Sequence, residues 1–146
     1  AGGIGSGNSI LAAMSLGADA VQIGSLFAAS KESSAHINFK NKIIESNDGD
    51  TVLTLKEITP VRLLKNDFYF QIENAYRNNA SVEDLRDILS KGRAKKGIFE
   101  GNIKDGELEI GQISSSISQI QSVDQIFKKL IDEFNSKIDY LKDIRL

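Results

Sequence analysis

The feature that most constrains the fold is the order of four segments within the first 25 residues. A glycine-rich loop, AGGIGSG, precedes a predicted helix over residues 9–16, and Gly17 is placed to end that helix in the left-handed conformation. The apolar run DAVQIG that follows is typical of a strand buried on both faces. With a strand before the first loop, this is a βαβ unit, whose right-handed crossover puts Gly2–Gly3 and Gly24–Ser25 at one edge of a parallel sheet.

Two glycine-bearing loops at one sheet edge predict a site for an anion such as phosphate. The familiar phosphate motifs do not match. Asn8 stands where a nucleotide-triphosphatase loop has lysine, and where a dinucleotide fingerprint has its last glycine. The residues after Ser25 predict a short helix whose free N–H groups face the same point. An ordinary turn is the alternative, since glycine is the usual residue wherever φ is positive.

Composition excludes several classes of function. The chain has 146 residues, of which 40% are apolar and 26% are charged, as in a soluble globular domain with one core. The net charge of −2 provides no basic field for nucleic acid, and the absence of cysteine excludes disulfides and thiolate chemistry. No apolar run approaches the roughly 20 residues that a membrane span needs, and no secretory signal is visible. We therefore expect a cytoplasmic protein without nucleic-acid or membrane partners.

The single histidine, His36, is better explained by structure than by catalysis. It has no nucleophile beside it in the sequence, so we expect a structural or capping role. Ser33 or Ser34 is the predicted cap of the helix that follows. The expected face of that helix is formed by Ile37, Lys40 and Ile44.

The charged clusters also have simple structural explanations. The run DGD at Asp48–Asp50 lacks the spaced ligands of an EF-hand, so it predicts a solvated turn and no metal site. The basic run at Arg93–Gly97 could meet a phosphate-bearing substrate, but the preference for cations at a helix end explains it without a ligand. Arg62, beside Pro60, has no role that the sequence assigns.

The remainder of the chain is predicted to be mostly helical. One helix is expected over residues 62–78, and another begins at Ser81 and is closed by Gly92. The tail begins with a capping box formed by Ser122 and Gln125. Its helical apolar stripe predicts packing against the rest of the protein or a partner chain, and it consists of Val123, Ile126, Phe127, Leu130, Ile131, Phe134, Ile138 and Leu141.

Several of these stretches together resemble a known family. The segments AGGI, LGADAVQIGSLF, KESSAHINFKNKII, TPVRLLKN and GELEIGQIS are similar to the C-terminal part of the nitronate monooxygenase family, over roughly residues 1–120. That family includes the related FMN-dependent enoyl-ACP reductases. The resemblance implies an α/β fold in which residues 1–50 form the last strand–helix units of a (β/α)8 TIM barrel. Residues 51–146 would then be a mostly helical C-terminal extension that packs on the barrel.

The resemblance also implies an FMN site. By the family pattern, Gly2 and Gly3 offer backbone N–H groups to the FMN phosphate, and Gln22, Gly24 and Ser25 match the second phosphate loop. The family usually reads MGTRF there, whereas this chain reads IGSLF, so Leu26 replaces an arginine. Apart from the family pattern, the glycine-rich segment over residues 97–111 is predicted to be a loop, and on that ground Gly111 and Gln112 are expected near the flavin edge or the substrate. The family's catalytic histidine falls upstream of Ala1, so no catalytic residue is expected within the chain.

Three functions stay open, of which the first two follow from this resemblance and the third belongs to another class. The first is FMN-dependent oxidation of alkyl nitronates by dioxygen, in a longer enzyme of which this chain is the C-terminal part. The second is the enoyl-ACP reductase branch, in which NADH reduces FMN and FMN reduces a double bond. The third is a non-catalytic fragment or scaffold. In each case we expect the chain alone to be inactive, and the whole protein is a possible homo-oligomer.

Overall fold

The computed structural model describes residues 1–144. They form six α-helices and two strands. In chain order these are α1 (Gly7–Ser15), α2 (Ser25–Ala28), α3 (Ile37–Ile44), β1 (Thr51–Thr54), β2 (Val61–Leu64), α4 (Asp67–Arg77), α5 (Val82–Leu89) and α6 (Val123–Lys142). A π-helical turn at Lys95–Phe99 and a 3₁₀ turn at Gln112–Ser116 lie between α5 and α6.

The first helix is as predicted in its existence and in its end. Helix α1 begins at Gly7 because Ser6 caps it, in a capping box with Ser9. The chain leaves the helix after Leu16, and Gly17 takes a φ of +98°, the left-handed conformation expected there.

The strand predicted over DAVQIG does not form within the described residues. From Asp19 to Ile23, no backbone group makes a ladder hydrogen bond with another part of residues 1–144. A strand requires a neighbouring strand for its backbone hydrogen bonds, and no other part of residues 1–144 supplies one to residues 19–23. The parallel sheet of the predicted βαβ unit is therefore absent from this part of the molecule.

The helix predicted over residues 62–78 is wrong at its start. Residues 61–64 form β2, which pairs antiparallel with β1 and places Thr51 opposite Leu64. The segment around Leu108 lies on the other side of β2, since the N–H of Leu64 donates to the Leu108 carbonyl at 3.0 Å. Asn66 then caps α4, which begins at Asp67. A short apolar run such as VRLL fits either period, and here the distant pairing partner decides the outcome.

Two clusters of buried apolar side chains hold the elements together. The first joins α3 to residues 108–117 and includes Phe39, Ile43 and Leu108. The second joins the β1–β2 hairpin to α4 and α5, and it includes Leu63, Phe68 and Leu85. Each fully buried side chain of this size contributes about 1.5–3 kcal/mol relative to exposure.

The tail helix α6 packs across α1 at very close range. A Cβ added to Gly7 would lie 2.3 Å from the Leu130 carbonyl oxygen and from the Phe134 nitrogen, so only glycine fits this crossing. The predicted capping box of Ser122 and Gln125 is present. The stripe on α6 is only partly covered by residues 1–144. Its members Ile126 and Leu130 are buried, whereas Phe127 and Ile131 are 53% and 55% exposed.

The last predictions about the fold concern the bounds of helix α5 and the division of the chain into two parts. Helix α5 begins after Ser81, as predicted, and Ser81 forms a capping box with Asp84, but the helix ends at Leu89 with Ser90 at a φ of +47°, before the predicted closing residue Gly92. The division of the chain at residue 50 stays a prediction. Among the described residues, no helix is long and apolar enough to cross a membrane.

Candidate functional site

The two predicted loops lie together in space. Gly2, Gly3, Gln22, Gly24 and Ser25 line one cavity of about 240 Å³, with Gly111 and Ile113 beside them. The juxtaposition expected from the βαβ pattern is thus confirmed, although the strand between the loops is not formed. Their roles as FMN contacts stay predictions.

The four glycines of the opening loop serve two different purposes. Gly2 and Gly3 have φ values of +83° and +70°, and no atom lies within 4 Å of the position where a Cβ would stand. Gly5 and Gly7, in contrast, are packing positions, because a Cβ on Gly5 would lie 2.5 Å from Cγ1 of Ile113 and Gly7 meets α6. Only the first pair has open space in front of it that a ligand could occupy.

The loops present backbone N–H groups that the described residues leave unpaired. The N–H groups of Gly2, Gly3 and Gly24 donate to no acceptor within residues 1–144, and that of Ser25 belongs to the first turn of α2. Helix α2 has four residues, so it contributes single N–H groups and little dipole. The first N–H group of α1 is not available to a ligand, because the N–H of Gly7 donates to Oε2 of Glu133 at 2.8 Å.

Ser25 ties the second loop to a distant part of the chain. Its Oγ accepts a hydrogen bond from the N–H of Gly111 at 3.0 Å, which leaves its own hydroxyl hydrogen available to donate. The contact is tight, since a Cβ on Gly111 would lie 2.6 Å from Oγ of Ser25. Leu26, which stands where the family has arginine, packs against the core around α3 and presents no charge to the cavity.

A second cavity, of about 610 Å³, adjoins the first along Gly2, Gly3 and Gly111. Arg62 and Gln112 line it. The Arg62 side chain is half-buried, and its Nη1 donates to both the carbonyl oxygen and Oγ1 of Thr51 at 3.1 Å. The sequence singled out Gly111 and Gln112, and the structure places both at the glycine loops. Their predicted proximity to flavin stays a prediction.

His36 is a capping residue, as expected, but Ser33 and Ser34 are not caps. Nδ1 of His36 accepts from the N–H of Asn38 at 3.1 Å and caps α3 directly. Gly101 lies against the ring, where a Cβ would stand 2.2 Å from Nδ1. The buried face of α3 also differs from the predicted one, and it consists of Phe39, Lys40 and Ile43. Lys40 lies on this face as predicted, whereas Ile37 is 53% exposed and Ile44 is only partly buried.

Asp50 and Arg93, from the two charged clusters, make contacts with other groups of the chain. In the predicted turn, Oδ2 of Asp50 accepts from the N–H of Asn47 at 2.8 Å. In the basic run, Nη1 of Arg93 donates to the Asp105 carbonyl at 2.9 Å, and the guanidinium lies 4.9 Å from the centre of the Phe68 ring. Across residues 1–144, no group of three or more histidine, aspartate or glutamate side chains is placed to hold a metal ion.

One ionisable group that sequence reasoning missed is Glu107, which is 8% exposed. Burial, aided by the charge of Glu109 and opposed by Arg93, raises the pKa of Glu107 from 4.5 to about 7. The alternation in GELEIG places Glu107 and Glu109 on one side of an extended segment, which is a signal of their coupling. The alternation does not indicate that Glu107 is buried.

The sequence of the chain is similar to known proteins of one family. A family profile described as nitronate monooxygenase matches residues 1–133. A probable nitronate monooxygenase from Bacillus subtilis is 33% identical over 134 residues, which make up 91% of this chain and 38% of the relative. A probable nitronate monooxygenase from Staphylococcus saprophyticus is 32% identical, over 92% of this chain and 38% of the relative.

Solved structures agree with the sequence matches. The structure of FabK from Thermotoga maritima superposes with a TM-score of 0.84 at 33% identity, over 97% of this chain and 45% of FabK. A nitroalkane oxidase from Streptomyces ansochromogenes superposes with a TM-score of 0.71 at 27% identity, over 96% of this chain and 40% of the oxidase. The chain therefore spans less than half the length of each of these relatives.

Proposed function

Since the chain belongs to the nitronate monooxygenase family, we propose that it is the C-terminal part of an FMN-dependent enzyme that oxidises alkyl nitronates with dioxygen. The chain covers 38% of its Bacillus subtilis relative, which supports the view that it is one part of a longer enzyme. In this proposal residues 1–50 supply the last strand–helix units of a (β/α)8 barrel. Residues 51–146 form the extension that packs on it.

The observation that carries the proposal is the cavity between the two glycine loops. Gly2, Gly3 and Gly24 have open space in front of them and unpaired N–H groups within the described residues. Ser25 adds a hydroxyl that is free to donate. A phosphate monoester has several strong acceptor oxygens, so this set of donors fits the FMN phosphate.

Backbone donors matter here because the loops themselves contain no cation. Residues 1–29 contain neither lysine nor arginine. The charge of a phosphate at these loops must therefore be met by oriented amides or by residues from elsewhere in the chain. A side chain on Gly3 or Gly24 would hold the phosphate away from those amides.

The role of this chain in the reaction is binding and positioning. FMN, when bound, supplies the electron acceptor for nitronate oxidation. The glycine amides and Ser25 hold its phosphate, and the hydrogen bond from Gly111 fixes the Ser25 hydroxyl. His36 caps α3 through Nδ1, and we propose no role for it in the reaction. We propose that the proton-handling histidine lies upstream of Ala1.

The test compares the full gene product with the 146-residue chain in one assay of oxygen consumption with an alkyl nitronate. We expect the full gene product to copurify with FMN and to turn over, and the chain alone to show no turnover. Turnover by the purified chain would contradict the view that it is only part of the enzyme. Anaerobic bleaching of the flavin by NADH would favour the enoyl-ACP reductase alternative, and a gene product that retains no flavin would favour a scaffold. Cytoplasmic location and homo-oligomerisation stay predictions.

A further inference from the structure

We propose that Arg62 supplies the positive charge that the glycine loops lack, and that it binds the FMN phosphate together with the loop amides. The inference rests on the proposed function, because it takes the phosphate to lie at Gly2, Gly3, Gly24 and Ser25. It adds a binding residue from β2, far along the chain from both loops.

A chain of hydrogen bonds brings Arg62 to the loops. The Arg62 carbonyl accepts from the N–H of Ile110 at 3.2 Å, and the N–H of the next residue, Gly111, donates to Oγ of Ser25 at 3.0 Å. Paired strands lie about 4.8 Å apart, so the Arg62 backbone is about one strand spacing from residues 110–111. Those residues in turn contact the second loop.

The cavities confirm this proximity at both loops. Arg62 lines the 610 Å³ cavity together with Gly2 and Gly3. It also lines a third cavity together with Gly24 and Ser25. Arg62 therefore borders a cavity beside each of the two loops, although it does not line the 240 Å³ cavity between them.

The Arg62 guanidinium has free hydrogen-bond donors and no ion-pair partner among residues 1–144, which favours binding of an anion. Nη1 is fixed by two hydrogen bonds to Thr51, and the remaining N–H groups of the guanidinium donate to no acceptor among residues 1–144. No ion pair with Arg62 forms in the described part of the chain, although Asp48 and Glu109 line the same cavities. A half-buried cation without a counter-ion is costly, and an anionic ligand offsets that cost. Arginine also presents its donors in a fork that suits phosphate oxygens.

The competing explanation is that Arg62 only fastens β2 to β1 through Thr51. The two roles differ in one measurable respect, which is selectivity for a flavin that carries a phosphate. A fastening residue affects FMN and riboflavin equally, whereas a phosphate-binding residue affects FMN alone.

The experiment titrates FMN and riboflavin into the apo form of the full gene product by flavin fluorescence. The variants are Arg62→Met, Thr51→Val and Lys56→Met, the last removing an exposed charge from the same hairpin. We expect Arg62→Met to weaken FMN binding about 10- to 100-fold, as loss of a charge-assisted hydrogen bond should, and to leave riboflavin binding unchanged. Lys56→Met should change neither affinity, and Thr51→Val should weaken FMN binding less than Arg62→Met does.

Unchanged FMN affinity in Arg62→Met would overturn the inference, and so would equal losses for FMN and riboflavin. Thermal unfolding of each variant checks that the hairpin is intact. If the wild-type protein itself does not bind FMN more tightly than riboflavin, the proposed phosphate site fails. That outcome is distinct from a failure of Arg62 alone.

Discussion

Replacing Glu107 by glutamine should make the chain more stable at neutral and alkaline pH. The pKa of Glu107 is about 7 in the folded chain against an ordinary value of 4.5, so the folded state disfavours its ionised form. The difference of about 2.5 pKa units corresponds to about 3 kcal/mol of unfolding free energy. This contribution is fully present below about pH 4.5, and it is lost as the pH rises to about 7.

Glutamine has nearly the same shape as glutamate and carries no charge. The unfolding free energy of the variant therefore does not fall by this amount as the pH rises. Urea unfolding of both proteins at several pH values measures the effect directly. We expect equal unfolding free energies near pH 4.5, and an advantage of about 3 kcal/mol for Glu107→Gln at about pH 8. The comparison between the two proteins cancels the titration of groups that do not interact with Glu107.

Glu109→Gln is the matched control, because Glu109 is exposed and raises the pKa of Glu107 by its charge. That variant should show a smaller gain of the same sign at about pH 8. If Glu107→Gln is no more stable than the wild type at that pH, the side chain is not held in a low-dielectric environment and the reasoning is refuted.

Two other predictions concern glycines and are checked by thermal unfolding and flavin titration. Gly7→Ala should destabilise the chain by about 1–3 kcal/mol, because the added methyl would meet the α6 backbone. Gly24→Ala, with open space and a φ of −97°, is the control that should unfold at nearly the wild-type temperature. Gly111→Ala should weaken FMN binding by displacing Oγ of Ser25, and it should have almost no further effect in a Ser25→Ala background. Equal stability of the first two variants, or full additivity of the last two, would contradict this account.

Local signals predicted the parts of the fold that local chemistry decides. Capping residues at Ser81 and Ser122 placed two helix starts correctly, and Gly17 placed one helix end. The meeting of the two glycine loops was also predicted from the sequence, because the βαβ pattern places both loops after parallel strands at one sheet edge, although that sheet is not formed within residues 1–144. These features depend on residues close together in the chain.

The misses depend on partners that are distant in the chain. Gly7 contacts Glu133, which is 126 residues away, so no local pattern reveals that this glycine serves helix packing. Ser25 meets Gly111 across 86 residues. The segment VRLL is a strand because it pairs with β1 on one side and with residues 108–110 on the other.

The central claim is that backbone amides of the two glycine loops hold the FMN phosphate. The most direct measurement is an NMR titration of the full gene product, labelled with ¹⁵N-glycine and ¹⁵N-serine, with FMN and then with riboflavin. We expect the amide protons of Gly3, Gly24 and Ser25 to move downfield together and to saturate with FMN, and to move much less with riboflavin. Equal shifts with both flavins, or shifts confined to glycines outside these loops, would contradict the account.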